Sequence, residues 1–192
     1  IEGDPFFGTD NVDGIEYLFG VIEPGRLDAE DRPVFHAFWA VEGGTVTTVA
    51  ERGAFEGFID LVTDRLAADP DLHVYHYAPY EPTAVKRLAG RYGTREEAVD
   101  RLLRGGVFVD LYRAVRQGIR ASVERYSVKD LEPLYEFERE VDLRDAVTSI
   151  IEFETWLELG EGKERSELLT LIEGYNRDDC VSTLHLRDWL EG

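Results

Sequence analysis

Strand-like and helix-like patterning are segregated along this chain, and their order limits the fold more than any other feature. Ile1-Glu2 reads as the end of a strand. Tyr17 to Ile22 reads as a second, bounded by Pro24-Gly25, and Val34 to Val41 as a third, rich in aromatic and β-branched residues. The turn-forming run Asp28-Ala29-Glu30-Asp31 between the last two predicts an antiparallel hairpin. Phe55, Phe58, Ile59, Val62 and Leu66 then recur at helical spacing until Pro70 stops them. Leu72 to Tyr77 reads as a buried strand, and the crossover helix before it predicts that it runs parallel to the first. After Pro82, which suits a helix start, Val85, Leu88 and Ala89 share a face. Further helical stretches cover roughly 95–104, 110–119, 128–136, 144–158 and 165–190. Three antiparallel strands, a crossover helix, a parallel strand and then helices predict an α/β layered domain with a mixed sheet. With 192 residues, 43% of them hydrophobic, the chain has enough material for one sizeable core, and it reads as a single domain over 1–192.

Several classes of function fall away. Cys180 is the only cysteine, so an intramolecular disulfide and a cysteine-built zinc or iron–sulfur site within the chain are excluded. This fits a reducing cytoplasm. No apolar run approaches the ~20 residues that span a bilayer, so no membrane role is expected. The chain starts at Ile1, contains no methionine, and ends in what reads as a cut helix, Asp188 to Gly192. It is therefore expected to be a domain excised from a longer multidomain protein. The formal net charge of −19 argues against binding nucleic acid through a generally basic surface. The basic residues are nonetheless concentrated: Lys86, Arg87, Arg91, Arg95, Arg101, Arg104, Arg113, Arg116, Arg120 and Arg125 lie within one stretch. Divalent cations bound at carboxylates would bring further positive charge.

Three groups of acids are placed to carry chemistry. Glu2 and Asp4 are two residues apart on a strand, a spacing that points both to one face. Paired acids there repel unless a cation lies between them. Taken alone, a solvated turn before Pro5 is the simpler account. His76-Tyr77-Ala78-Pro79-Tyr80-Glu81 leaves the internal strand through a proline turn and delivers Glu81 to a helix N-terminus. Sites form at such strand ends in α/β sheets, although Glu81 could serve only to complement the helix dipole. His76 reads as a satisfied strand histidine. In Tyr175-Asn176-Arg177-Asp178-Asp179-Cys180, Tyr175 and Asp179 share a helix face with Ile172 and Leu168, while Asp178 is rotated about 100° away. An acid on an inward stripe needs a partner, a metal or a raised pKa. Asp110 reads as a helix N-cap after a short strand. Cys180 reads as a small core residue, and Trp156 and Trp189 as core or interface anchors.

In order and spacing these three sites resemble the DEDD superfamily of 3′→5′ exonucleases, in the subclass with a tyrosine in its last motif. Ile1-Glu2 is similar to the end of the first motif, Asp-x-Glu. His76 to Glu81 lies where the second motif, normally ending in Phe-Asp, is expected. Tyr175-x-x-x-Asp179 matches the third. Tyr126 to Glu132 resembles the helix between the last two motifs. The phrases Val74 to Glu81 and Tyr175 to Cys180 most resemble the ribonuclease H-like domain of bacterial predicted RecB-like nucleases. Two departures stand out: the first-motif aspartate would precede Ile1, and Glu81 stands where an aspartate is usual.

The resemblance implies a ribonuclease H-like mixed sheet flanked by helices. It implies two Mg²⁺ or Mn²⁺ ions about 4 Å apart that clamp the scissile phosphate. Glu2 and Asp179, with Asp4 as a further candidate, would hold the first ion, and Glu81 would support the second. Tyr175 would orient the attacking water or help deprotonate it. The implied partners are a single-stranded DNA or RNA 3′ end, stacked on Tyr77 and Tyr80, and nuclease or helicase domains of the same parent chain, in DNA processing or repair. The competing expectation is a catalytically degenerate module that binds nucleic acid or docks a neighbouring domain. It is favoured by Glu81 and the acidic surface. An acidic protein-interaction domain is a third reading.

Overall fold

The computed structural model describes residues 1–9, 12–141, 146–159 and 163–192. Among the described residues, seven strands and seven α-helices follow one another in the order β1 (Glu2–Thr9), β2 (Val12–Leu27), β3 (Pro33–Trp39), β4 (Val41–Glu42), β5 (Thr45–Val46), α1 (Thr48–Ala68), β6 (Val74–His76), α2 (Tyr80–Tyr92), α3 (Glu96–Arg104), β7 (Phe108–Asp110), α4 (Leu111–Gly118), α5 (Val128–Leu131), α6 (Ala146–Glu158) and α7 (Lys163–Glu191). The fold is α/β with both antiparallel and parallel strand pairs, as the sequence predicts. Contacts gather the residues into two compact units, Ile1–Phe55 with Arg139–Cys180, and Glu56–Glu138 with Val181–Gly192.

The first unit is built on the antiparallel sheet β1-β2-β3. The central strand β2 is buried on both faces: Ile15, Tyr17, Leu18 and Phe19 are at most 1% exposed. One face is an aromatic stack. Tyr17 lies flat against Phe153 of α6 at a centroid distance of 3.9 Å, and Phe153 stacks on Trp156 at 5.6 Å. The buried Tyr17 hydroxyl is satisfied by Ser149 Oγ at 2.9 Å. The predicted hairpin is present. Asp28 accepts from the backbone N–H groups of Glu30 and Arg32, both at 2.9 Å, which closes the turn through a side chain.

Two strand boundaries differ from the sequence reading for one reason. β2 does not stop at Pro24-Gly25 but runs on to Leu27, and its register against β3 breaks between Glu23 and Leu27. β1 likewise passes through Pro5 to Thr9, with a break between Asp4 and Gly8. A bulge tolerates the proline that a regular ladder rejects, so proline marks an irregularity here and not an end.

The second unit contains the parallel pair β6-β7, in which Val74, Tyr75 and His76 face Phe108, Val109 and Asp110. Leu111, Val115, Leu131 and Leu186 form its core, with Tyr75, Tyr77 and Tyr135 packed against them. The predicted helices are recovered nearly to the residue at α3 and α4. Ser127 caps α5, which continues as a 3₁₀ turn over Glu132–Leu134.

Arg95 opens α3 in the left-handed region, at φ 55°. Its guanidinium grips Asp60 through two bonds of 2.6 and 2.7 Å and holds that carboxyl below its ordinary pKa, chiefly by this hydrogen bonding. A carboxyl whose pKa is lowered by folding adds stability above its unfolded value of 3.8 and loses it as the pH falls through the folded value. The pair is half exposed, so Asp60→Asn is expected to cost only about 0.5 kcal/mol at neutral pH. The difference from wild type should shrink in urea melts repeated well below pH 3.8.

Candidate active site

The carboxylate-bearing strand β1 and the motif-bearing part of α7 meet within the first unit. The contact begins at Gly20 of β2. A Cβ placed there would come within 1.8 Å of Asn176 Oδ1 and 3.0 Å of Phe35 Cε2, so only glycine lets α7 approach this closely. Asn176, 2% exposed, then donates from Nδ2 to Glu2 Oε1 at 3.0 Å. The same helix surface is fastened to β3 by two further contacts. Trp39 Nε1 donates to Glu173 Oε2 at 2.9 Å, and the Arg177 guanidinium lies 4.9 Å from the Phe35 ring centroid. Glu2 of the first predicted motif and Tyr175-Asn176-Arg177-Asp178-Asp179 of the third are thereby brought together.

The individual acids have different surroundings. Glu2 is 7% and Asp4 2% exposed, so neither lies in a solvated turn. Asp4 Oδ1 accepts from the Phe6 backbone N–H at 2.8 Å and spans the bulge at Pro5. Tyr175 is buried on the inward stripe beside Ile172, as expected. Of the two aspartates, Asp178 is the more deeply buried. Its Oδ2 accepts from Val141 N–H at 2.9 Å, and burial raises its pKa. Asp179 is partly exposed and carries a cation: Arg139 Nη1 lies 2.7 Å from its Oδ1, and the same guanidinium lies 5.7 Å from the Tyr175 ring centroid.

Glu81 belongs to the second unit, in the first turn of α2. His76 Nδ1 lies 2.7 Å from the Ala78 carbonyl, which requires Nδ1–H, and 3.6 Å from Glu81 Oε2. His76 is thus a satisfied strand histidine, and it also faces the candidate acid. Burial works to raise the pKa of Glu81, but the His76 interaction helps hold it below the ordinary value. The connecting turn is strained, with Ala78 at φ 70°, and Asp110 secures it. Asp110 Oδ1 accepts from Ala78 N–H at 2.9 Å while capping α4 through Tyr112 N–H at 3.0 Å.

Tyr77 cannot serve as a stacking platform. It packs in the core of this unit, edge-on to Tyr112, and its hydroxyl donates to the Tyr126 carbonyl at 2.5 Å. Tyr80 is 46% exposed. Within the arginine-rich stretch Arg95 and Arg104 are paired with Asp60 and Asp100, and Arg116 covers the Tyr126 ring. Arg101, Arg113, Arg120 and Arg125 are exposed. Trp156 is buried as read, Trp189 is 41% exposed, and Cys180 is only partly buried.

Glu2, Asp4 and Asp179 are all-oxygen donors, the type that hard divalent cations take. Asp179 already holds a positive group in the form of Arg139, so its position suits a cation. No cluster of three or more His, Cys, Asp or Glu side chains able to hold a metal is formed among the described residues. Magnesium sites commonly use one or two carboxylates, with substrate phosphate and water completing the shell, and Glu2, Asp4 and Asp179 are of that donor type.

Sequence reasoning missed two participants. Asn176 was signalled indirectly, because an isolated glycine inside a strand such as Gly20 marks close approach of another backbone or side chain. Arg139 stands in the acidic run Glu136-Phe137-Glu138-Arg139-Glu140 and carried no signal.

A family model described as RNase_H superfamily matches residues 8–191. Neither the curated proteins nor the solved structures gave a match.

Proposed function

Because the chain belongs to the RNase_H superfamily, we propose that it is a metal-dependent 3′→5′ exonuclease of the tyrosine-containing DEDD type, acting on single-stranded nucleic acid. The observation that carries this reading is the Asn176–Glu2 hydrogen bond, which ties the acid of the first motif to the helix of the third. Superfamily membership supports a nuclease fold that works on nucleic acid. The exonuclease polarity, the single-stranded DNA substrate, the RecB-like affinity and a place beside nuclease or helicase domains of a longer cytoplasmic chain are part of the proposal.

When bound, Mg²⁺ or Mn²⁺ neutralises charge on the scissile phosphate and lowers the pKa of the attacking water. Glu2 and Asp179 are the residues that would hold it. Asn176 fixes Glu2 by occupying one of its oxygens, so the carboxylate keeps a single orientation. Tyr175, buried in the core, would use its hydroxyl as a hydrogen-bond partner that orients the attacking water. The phenol is a poor base at neutral pH, with an ordinary pKa of ~10, so its part is orientation. Asp4 is engaged by backbone and supports β1. Glu81 enters through the resemblance alone, and Glu81→Gln tests it separately.

The protein should shorten single-stranded DNA in Mn²⁺ and leave it intact in EDTA. RNA run in parallel chooses the sugar. An intact substrate in Mn²⁺ with folded protein supports the second reading, a degenerate module that binds without cutting. The Arg139–Asp179 ion pair favours that alternative, because it neutralises the acid on which cleavage depends.

A further inference from the structure

Both aspartates of the third motif are engaged by one short stretch of chain. Arg139 reaches Asp179 at 2.7 Å, and two residues later Val141 N–H donates to Asp178 at 2.9 Å. The stretch is seated in the helix: a Cβ on Gly174 would come within 2.6 Å of Val141 Cγ2. Glycine inside a helix is less favourable than alanine, and here it opens the space that Val141 fills. Arg139 is itself well covered, with 13% of its side chain exposed, and lies between the Asp179 carboxylate and the face of Tyr175. A guanidinium so placed has ion-pair and cation–π partners together. It meets the electrostatic need that a divalent ion would meet at the same acid, and two cations cannot share that place without repulsion.

We propose that Arg139 is an internal counter-ion that competes with the divalent cation for Asp179, so that metal enters as the Arg139–Val141 strap withdraws. This rests on the reading of Asp179 as a metal ligand. The strap then sets metal affinity and keeps the site neutral when the cation is scarce. Arg139 acts through Asp179 and is a positioning residue.

Mn²⁺ binding to the intact protein, followed by the electron paramagnetic resonance of the free ion, tests this in wild type, Arg139→Gln, Asp179→Asn and the double variant. The Asp179-dependent part of the binding should tighten on the order of tenfold in Arg139→Gln, the usual size of a coupling between two bound groups. Arg139→Lys, with a point charge in place of the planar fork, should shift the same way by less. It carries the test if circular dichroism shows that Arg139→Gln does not fold. Asp179-dependent binding that is unchanged or weaker in the Arg139 variants would overturn the competition and leave the exonuclease reading standing. Equal binding by wild type and Asp179→Asn, in both backgrounds, would remove Asp179 as a ligand and overturn both.

Discussion

Asp179→Asn should lower metal-dependent cleavage on the order of a thousandfold, the scale seen when one preorganised electrostatic partner of a transition state is removed. The substitution keeps the shape of the side chain and removes its charge. Its structural effect should be small, because Asp179 is partly exposed and Arg139 keeps its place over the Tyr175 ring. Loss of the ion pair is expected to cost about 1–2 kcal/mol, less than for a fully buried pair. Turnover in Mn²⁺ is to be measured beside the far-ultraviolet circular dichroism and the urea midpoint. A folded Asp179→Asn protein that cuts at the wild-type rate would take this residue out of the chemistry.

The second large effect is expected at a residue with no side chain. Gly20→Ala adds one methyl group, and that methyl meets Asn176 Oδ1 at 1.8 Å. Neither side can yield cheaply: Gly20 is in the central strand β2, and Asn176 is 2% exposed on α7. Overpacking of this kind costs about 1–3 kcal/mol. If Asn176 is pushed aside, the buried Glu2 carboxylate loses a donor as well, for roughly another 1–3 kcal/mol. Gly20→Ala should therefore lower the urea midpoint strongly and depress cleavage even where the protein is folded, although no charge has changed. Normal stability and turnover would show that the helix does not rest on Gly20 as described. Asn176→Ala separates the causes, because it leaves room for the methyl group but still releases Glu2.

Much of this architecture was legible in the sequence because it rests on local rules. Helical periodicity gave α1 with Phe55, Phe58, Ile59 and Val62 buried, and Pro70 lies just past its end. The turn at Asp28 and the N-cap at Asp110 are short-range hydrogen-bond patterns, and both are present. What was hidden depends on contacts between distant residues. Pro5 and Pro24 read as strand ends because the bulges that accommodate them are set by pairing with neighbouring strands. The resemblance makes Tyr77 a stacking platform, but the helix and turn around Tyr112 and Tyr126 enclose it. Spacing placed Asp179 on the inward stripe. Asp178 is the more buried of the two because Val141, 37 residues away, supplies its donor. The Asn176–Glu2 bond spans 174 residues and could be expected only through the order of the motifs.

The proposed enzyme digests from the 3′ end, and the polarity of cleavage reports this. Two single strands of DNA are prepared, one blocked by phosphorothioate linkages at its 3′ end and the other at its 5′ end. Both are incubated with the protein in Mn²⁺, with Asp179→Asn as the control. The 5′-blocked strand should be shortened stepwise, the 3′-blocked strand should survive, and the control should cut neither. Survival of the 5′-blocked strand while the 3′-blocked strand is degraded, or cleavage undiminished in Asp179→Asn, would contradict the proposed function.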